Sequence, residues 1–332
     1  MASTVWVVTG ANRGIGLEFV KQILDLPNTT VIAGARSPDK AEDLQKLSQQ
    51  FAGRLFTVHL DLSHSNTVQA AVDTVKKSHK DGIDFLINNA GVLGTFAQIK
   101  DQDLEDLKHV LLTNVVGTFA VTKAFLPLLK SGKKRTIINM SSDAGCLTQN
   151  ASFIHDDRPS DAGMALSYRA SKVAINMETT VLANDLKRDD FKVVSLHPGF
   201  VATDMGASAS DSMSAIRPGY GPTLTTGQSV QAMMKLIMAL TQTQTVGAAF
   251  DVVHLHSFTA NAMASSLPQC WFAIQSRATS STVFISKRQS SKVSGHTSCP
   301  WDRSLSSSLA HVCTQNQMFI NKLLHLMAGT PT

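Results

Sequence analysis

The sequence predicts an α/β domain in which one doubly wound parallel sheet is covered by helices on both faces. Two observations point to this fold class. Short apolar runs alternate with amphipathic stretches from residue 4 to about residue 255, and a glycine-rich turn directly follows the first run. Repeated strand–helix units of this length require right-handed crossovers and a parallel sheet that is buried on both sides.

Each strand is predicted from a short β-rich run, and each helix from apolar residues at helical spacing. The predicted strands cover residues 4–9, 29–35, 55–61, 84–90, 135–142, 192–198 and 248–255. The predicted helices cover residues 15–26, 38–50, 65–79, 101–130, 163–188 and 227–241. Segment 109–129 is apolar enough to suggest a membrane span, but Asn114, Lys123 and Pro127 within it favour a buried helix.

After about residue 256 the alternation stops. Residues 257–332 are rich in serine and basic side chains, and only 317–329 has the spacing of a short amphipathic helix. We therefore predict a single domain over residues 1–256 and a poorly ordered extension over 257–332. The sequence leaves open whether this extension is genuine or an artefact of the gene model.

The composition argues against several classes of protein. No basic helix interleaved with aromatic residues indicates a nucleic-acid partner, and the four cysteines lack the spacing of a zinc site. Free thiols and the absence of a leader at the N-terminus predict a cytoplasmic protein that does not bind a membrane.

Residues 9–16, TGANRGIG, form the turn between the first strand and the first helix. Gly10, Gly14 and Gly16 let the chain turn sharply and approach a pyrophosphate, which the positive end of the helix stabilises. A tight turn without a ligand is the alternative. The strand–turn–helix context favours a dinucleotide site.

A site for NAD carries an acid at the end of the second strand, where it binds the ribose 2′-hydroxyl. Here Ala35 and Arg36 occupy that place, and Arg13 lies within the turn. Two cations without an acid suit a 2′-phosphate and predict NADP(H). Solvated surface arginines are the alternative.

The stretch SYRASK places Tyr168 four residues before Lys172 in a chain with only two tyrosines. Because a helix brings residues i and i+4 to one face, the two side chains can share a site. We expect the Lys172 ammonium to lower the pKa of the Tyr168 phenol from about 10 towards neutrality, where it can transfer a proton. A surface tyrosine beside a solvated lysine is the alternative.

Four stretches occur in one order, TGANRGIG, NNAG (88–91), INMSSDAG (138–145) and YRASK (168–172), and HPGFVATDM (197–205) follows them. Together they resemble the short-chain dehydrogenase/reductase family. The first and last stretches resemble the small carbonyl reductases of the norsolorinic acid ketoreductase and C-factor type. The resemblance implies a Rossmann-type domain that reduces a carbonyl group with a nicotinamide cofactor.

The resemblance implies catalytic roles for four residues. Tyr168 would give a proton to the carbonyl oxygen, while Lys172 would lower its pKa and hold the nicotinamide ribose. Ser142 would hydrogen-bond the substrate carbonyl, with Ser141 as the competing choice. Asn114 would hold a water for proton relay to Lys172, unless it only satisfies a bend in its helix.

The resemblance also implies contacts with the cofactor. They are Gly10, Asn12, Arg13, Gly14, Ile15, Gly16, Arg36, Asp61, Leu62, Asn88, Ala90, Gly91, Asn114, Tyr168, Lys172, Pro198, Gly199, Val201 and Thr203. Asp61 and Leu62 would lie at the adenine, and Pro198 and Gly199 at the nicotinamide. No metal is implied, because Tyr168 supplies the proton.

Ser142 and Tyr168 are separated by 26 positions, a longer spacing than in the commonest members of the family. The extra loop, 147–165, is expected to border the substrate pocket and to hinder the helix packing used for oligomers. The sequence therefore leaves open whether the protein forms a homo-oligomer. Segment 204–226 is rich in small residues and is expected to close over the cofactor as a lid.

The predicted function is NADPH-dependent reduction of a small-molecule ketone or aldehyde, with secondary metabolism as one setting. An NAD(P)⁺-dependent alcohol dehydrogenase and a cofactor-binding regulator without turnover are the alternatives. The intact set of Ser142, Tyr168 and Lys172 argues against the regulator.

Overall fold

The computed structural model describes residues 3–152, 164–214, 216, 218–242 and 253–254. Within these residues seven strands form one parallel sheet: β1 (Thr4–Thr9), β2 (Thr29–Ala35), β3 (Leu55–His59), β4 (Phe85–Asn88), β5 (Thr136–Met140), β6 (Lys192–His197) and β7 (Val253–His254). Their order is β3-β2-β1-β4-β5-β6-β7. The predicted doubly wound α/β fold is confirmed.

The α-helices of the described chain are α1 (Gly14–Leu24), α2 (Glu42–Gln50), α3 (Ser65–Ser78), α4 (Leu104–Leu111), α5 (Thr118–Ser131), α6 (Leu147–Ser152), α7 (Leu166–Leu186), α8 (Asp204–Met213) and α9 (Thr226–Gln242). A π-helical segment, Leu112–Gly117, joins α4 to α5. A short 3₁₀ turn, Asp143–Gly145, follows β5.

The sheet is buried on both faces. On β1, Val5 and Val7 belong to one core cluster with residues of α3 and α5, while the alternate residues Trp6 and Val8 are also buried. Because successive strand residues point to opposite faces, this burial requires helices on both sides of β1.

The chain order reverses at the centre of the sheet, where β1 lies between β2 and β4. In open parallel sheets a crevice forms at this reversal, outside the carboxyl ends of the strands. The turn after β1 and the loop after β4 therefore face one another across a ready-made cleft.

The predicted helix 101–130 is wrong in detail, because the structure divides it into α4, the π-helical segment and α5. The widened turn coincides with two tertiary contacts. Asn114 bonds the backbone of Val92, and Gly117 lies so close to Leu62 that a Cβ there would be 2.7 Å from the Leu62 Cβ. A regular helix lacks the extra residue that a π turn accommodates.

Two helices were not predicted. α6 lies in the segment expected to be a loop, and α8 in the segment expected to be a lid. Neither LTQNAS nor DMGASASDSM has the apolar spacing of a helix. α8 instead begins at a side-chain cap, because the Thr203 hydroxyl accepts from the Gly206 N–H at 3.1 Å.

One helical stretch of the described chain, Leu104–Ser131, is long and apolar enough to cross a membrane by length and composition. The core helix of a folded domain meets the same criteria. In this stretch Val110, Val121 and Phe125 are fully buried inside the protein.

Several predictions fall on parts of the chain outside the described residues. The predicted strand 248–255 is described only at β7, and the loop 147–165 only at α6 and from Met164 onwards. The extension 257–332 and its boundary at residue 256 also lie outside the described residues and stay predictions.

Candidate active site

A cleft of about 710 Å³ opens at the carboxyl ends of the central strands. Most of the residues predicted to contact a cofactor line it: Gly10, Asn12, Arg13, Gly14, Ile15, Gly16, Arg36, Asp61, Leu62, Ala90, Gly91, Tyr168, Lys172, Pro198 and Thr203. The fold thus brings into one cleft groups that are widely separated in the sequence.

Asn88 was predicted to line the cleft, and the structure places its side chain in the interior instead. Its amide donates to the Thr122 hydroxyl at 2.8 Å and to Asn139 Oδ1 at 2.9 Å. The next residue, Asn89, lines the cleft and donates to the Thr9 carbonyl at 2.9 Å. Alternation along β4 is the signal that could have separated these two asparagines.

Gly199 and Val201 also do not line the cleft. Gly199 has a φ of 83°, which its missing Cβ permits, and it follows directly on Pro198, which does line the cleft. Val201 is 3% exposed and forms an isolated bridge with Leu224. These two residues shape the segment that leads to α8.

The turn between β1 and α1 leaves no room for a side chain at Gly10 or Gly16. Gly10 has a φ of 64°, and a Cβ at this position would lie 2.9 Å from the Ala90 Cα. A Cβ on Gly16 would collide with the Gly10 carbonyl oxygen. Arg13, the N-cap residue of α1, makes no side-chain capping bond within the described part of the chain. The free N–H groups and the positive end of the helix are suited to an anion.

Arg13 makes a contact that the sequence did not predict. Its Nη1 donates to Asp204 Oδ2 at 2.6 Å, which links the glycine-rich turn to the start of α8. Both side chains are largely exposed, at 67% and 76%. Arg36 is also exposed and follows β2 beside the buried Ala35. Two arginines therefore line the cleft, and position 35 carries no acid.

Asp61 also lines the cleft. Burial alone would raise the pKa of its carboxyl, but bonds from the Ser63 hydroxyl and N–H, together with His64, lower the pKa below its ordinary value. Asp61 is thus a charged acceptor at neutral pH.

Ser142, Tyr168 and Lys172 meet beside the cleft. Ser142 caps the 3₁₀ turn, where its Oγ accepts from the Ala144 N–H at 3.1 Å, and it also hydrogen-bonds the Tyr168 hydroxyl. The Lys172 Nζ donates to the Met140 carbonyl at 2.8 Å and lies 5.4 Å from the centre of the Tyr168 ring. α7 places the last two residues on one face, as their spacing predicts.

The expectation that Lys172 lowers the pKa of Tyr168 is wrong for this structure. Burial raises the pKa of Tyr168 to about 12; the bond with Ser142 lowers it, and the negative charge of Asp143 raises it. Burial also lowers the pKa of Lys172 to about 8. The Lys172 ammonium donates to the Met140 carbonyl and lies over the face of the Tyr168 ring, and its charge does not offset the effect of burial on the phenol.

The two serines at the end of β5 differ in their partners. Ser141 lines the cleft, but its hydroxyl donates to Asn176 Oδ1 at 2.6 Å. Ser142 shares a hydrogen bond with Tyr168. This pattern supports Ser142 over Ser141 as the partner of a substrate oxygen.

Asn114 lies in the π-helical segment and is 1% exposed. It accepts from the Val92 N–H at 2.8 Å and donates to the Val92 carbonyl at 2.8 Å and the Ser171 hydroxyl at 3.0 Å. These bonds support the alternative in which it satisfies a bend. Its predicted role in holding a water stays a prediction.

A family model described as short chain dehydrogenase matches residues 4–214. The chain belongs to the short-chain dehydrogenase family. An uncharacterised oxidoreductase of Schizosaccharomyces pombe is 34% identical over 244 residues, which cover 71% of this chain and 92% of the relative. The C-signal protein of Myxococcus xanthus is 35% identical over 48% of this chain and 82% of its own length.

Solved structures of this family are also similar. An NADPH-bound carbonyl reductase from chicken fatty liver is 33% identical with a TM-score of 0.63, covering 75% of this chain and 92% of its own. The carbonyl reductase Sniffer of D. melanogaster is 29% identical with a TM-score of 0.62, covering 75% and 96%. The chain is therefore a short-chain dehydrogenase of the small carbonyl reductase type, as its motifs predicted.

Sequence reasoning about this short-chain dehydrogenase missed Asp143, Asp204 and His197. All three stand inside the motifs that carry the resemblance, MSSDAG and HPGFVATDM. No spacing pattern indicates their partners, because each partner comes from another part of the chain or depends on a local turn.

Proposed function

We propose that this short-chain dehydrogenase reduces ketones or aldehydes with NADPH, and that Tyr168 donates the proton. The observation that carries the proposal is the convergence of Ser142, Tyr168 and Lys172 at the cleft that the glycine-rich turn also lines. Tyr168 is a proton donor, Ser142 is a hydrogen-bond partner for an oxygen and Lys172 is a cation, and all three lie at or beside a cleft of about 710 Å³.

The residues of the cleft fit a nicotinamide dinucleotide with a 2′-phosphate. The uncapped start of α1 and the close approach at Gly10 suit the pyrophosphate. Arg13 and Arg36 suit the 2′-phosphate, since position 35 carries no acid that would repel it. The chicken relative was crystallised with NADPH bound, which supports the same choice here.

When bound, the reduced nicotinamide supplies the hydride that the carbonyl carbon receives. Ser142 donates a hydrogen bond to the carbonyl oxygen, and Tyr168 transfers its proton to that oxygen, which yields the alcohol. Lys172 lies beside the phenolate that remains until it recovers a proton from solvent. The raised pKa of Tyr168 keeps its hydroxyl protonated at neutral pH, which favours reduction over alcohol oxidation.

The test follows oxidation of NADPH and of NADH with a panel of aliphatic, aromatic and polyketide-like carbonyls. We expect turnover with NADPH preferred, and a Tyr168→Phe variant that loses at least about 10² in kcat/KM because the transferable proton is gone. NADPH binding, read as a rise in the thermal unfolding temperature, should persist in this variant.

Tyr220→Phe is the matched control, since Tyr220 is the second tyrosine and is 41% exposed. This control should retain full turnover. Near-normal turnover by Tyr168→Phe would remove Tyr168 from the mechanism, and a preference for NADH in the parent would overturn the choice of cofactor. Faster turnover of alcohols at neutral pH would favour the dehydrogenase alternative.

A further inference from the structure

Asp143 directly follows Ser142 and begins the 3₁₀ turn after β5. Its Oδ1 accepts the Ser142 hydroxyl hydrogen at 3.0 Å. Its backbone N–H donates to Nδ1 of His197 at 3.2 Å, and His197 is 5% exposed at the end of β6. The backbone of Asp143 is thus fixed by its hydrogen bond to His197 of the neighbouring strand β6, and this fixes the position of the carboxylate.

These contacts limit the hydrogen bonds that Ser142 can make. A serine hydroxyl has one hydrogen to donate and two lone pairs to accept with. The hydrogen goes to Asp143, and one lone pair accepts from the Ala144 N–H at 3.1 Å. The single hydrogen of Ser142 therefore has two competing acceptors, Asp143 and the Tyr168 oxygen, and a bond from Ser142 to the Tyr168 oxygen lowers the pKa of Tyr168.

We propose that Asp143 is a positioning residue for proton transfer: by accepting the Ser142 hydrogen, it withholds that hydrogen from the Tyr168 oxygen and so keeps the proton on Tyr168. This inference rests on the proposed function. Tyr168 can ionise favourably only after the Ser142 hydroxyl turns from Asp143 towards the phenolate or towards a substrate oxygen. Asp143 thereby keeps the site in the form that donates a proton.

Electrostatics supports this geometry. Burial raises the pKa of Tyr168, and the charge of Asp143 raises it further, because two negative charges in one site repel each other. Among the described residues, other titratable groups around this site are Lys172 and Arg169 of α7, Asp106 and His109 of α4, and His197 of β6. Each of these groups is unchanged in the variants that follow.

The test is a titration of Tyr168 in the full chain, followed by the tyrosinate absorbance in the near ultraviolet. The chain has only two tyrosines, so Tyr168→Phe supplies the baseline from Tyr220. Asp143→Asn keeps an oxygen that can accept from Ser142 but removes the charge. We expect it to lower the pKa of Tyr168 by about 0.5 to 1 unit.

Asp185→Asn is the matched control, because Asp185 is exposed on α7, the helix that carries Tyr168, and the change also removes one negative charge. This control should leave the Tyr168 titration where it is in the parent. Asp143→Ala, which also removes the acceptor, should lower the pKa at least as far as Asp143→Asn. A Tyr168 titration in Asp143→Ala that matches the Asp185→Asn control would overturn the proposal.

Activity gives a second readout with p-nitrobenzaldehyde as the probe. The alkaline loss of kcat/KM for reduction should move to lower pH in Asp143→Asn by the same amount as the titration. The absorbance titration does not need turnover, so it judges the role of Asp143 even if Tyr168→Phe remains active and the proposed function fails. The two failures are therefore distinguishable.

Discussion

Two turns of α7 carry buried ionisable side chains, and the protein surrounds them differently. Lys172 is 6% exposed, donates to the Met140 carbonyl at 2.8 Å and lines the cleft. Glu178 lies less than two helical turns further on. Both of its carboxylate oxygens are buried, and neither has a hydrogen-bond partner in the described part of the chain.

Burial disfavours the charged form of both groups by a similar amount. It lowers the pKa of Lys172 to about 8 and raises the pKa of Glu178 to about 7. The difference lies in what surrounds them: Lys172 has a partner and borders a proton donor, whereas Glu178 has neither. A shifted pKa therefore marks a functional group only when geometry also provides something to act on.

The largest difference between substituting Lys172 and substituting Glu178 should be in activity. We expect Lys172→Met to lower kcat/KM for carbonyl reduction by at least about 10², because the cation beside the phenolate is lost. The free energy of unfolding should change by no more than about 1 kcal/mol, since relief of burying a charge offsets the lost bond to Met140. Steady-state kinetics and urea unfolding measure the two effects separately.

Lys187→Met is the control for that variant, because Lys187 is exposed beyond the end of α7. It should leave both activity and stability unchanged. A Lys172→Met protein that no longer folds would show that the bond to Met140 is mainly structural.

The second difference between Lys172 and Glu178 should be in how each side chain affects stability. The folded protein binds more protons at Glu178 than the unfolded chain between the ordinary pKa of 4.5 and the raised value of about 7. The free energy of unfolding therefore falls as pH rises through this window, because burying the ionised Glu178 carboxylate becomes unfavourable. Above the window the free energy of unfolding does not recover. We expect Glu178→Gln to stabilise the protein by about 2 kcal/mol near pH 8 and hardly at all near pH 4.5.

Urea unfolding across this pH range measures the effect of Glu178→Gln. Glu42→Gln, at an exposed position of α2, is the control and should keep the pH dependence of the parent. Reduction activity should also stay unchanged in Glu178→Gln. An equal pH dependence in parent and Glu178→Gln would show that Glu178 is ionised and solvated in the folded protein.

The smallest effect should come from the exposed pair of Arg13 and Asp204. Exposed ion pairs contribute less than about 1 kcal/mol, so Asp204→Asn should barely change stability. Because it frees Arg13 for a 2′-phosphate, we expect it to lower the KM for NADPH about two-fold with little change for NADH. Asp211→Asn, an exposed change on the same helix, is the control, and an equal effect on both cofactors would contradict this role for Arg13.

The elements differ in how well they could be predicted. The turn between β1 and α1 was predicted correctly, because its glycines and the periodicity on either side are local properties of the chain. The break between α4 and α5 was not, because Asn114 bonds Val92, 22 residues away, and such contacts leave no periodic signal. The motif NNAG contains both Asn88 and Asn89, and the prediction named the wrong one. The orientation of β4 turns the Asn88 side chain to the interior, whereas Asn89 lines the cleft.

The sequence by itself determined where the strands and most of the helices lie and that Tyr168 and Lys172 share a face of α7. Both follow from the spacing of neighbouring residues. Only the tertiary structure decided that Ser142 bonds Asp143 and Tyr168, that Arg13 bonds Asp204 across 191 residues, and that the pKa of Tyr168 rises. The physical reason is that burial and the choice of partner depend on which distant segments the sheet brings together, and local spacing carries no record of them.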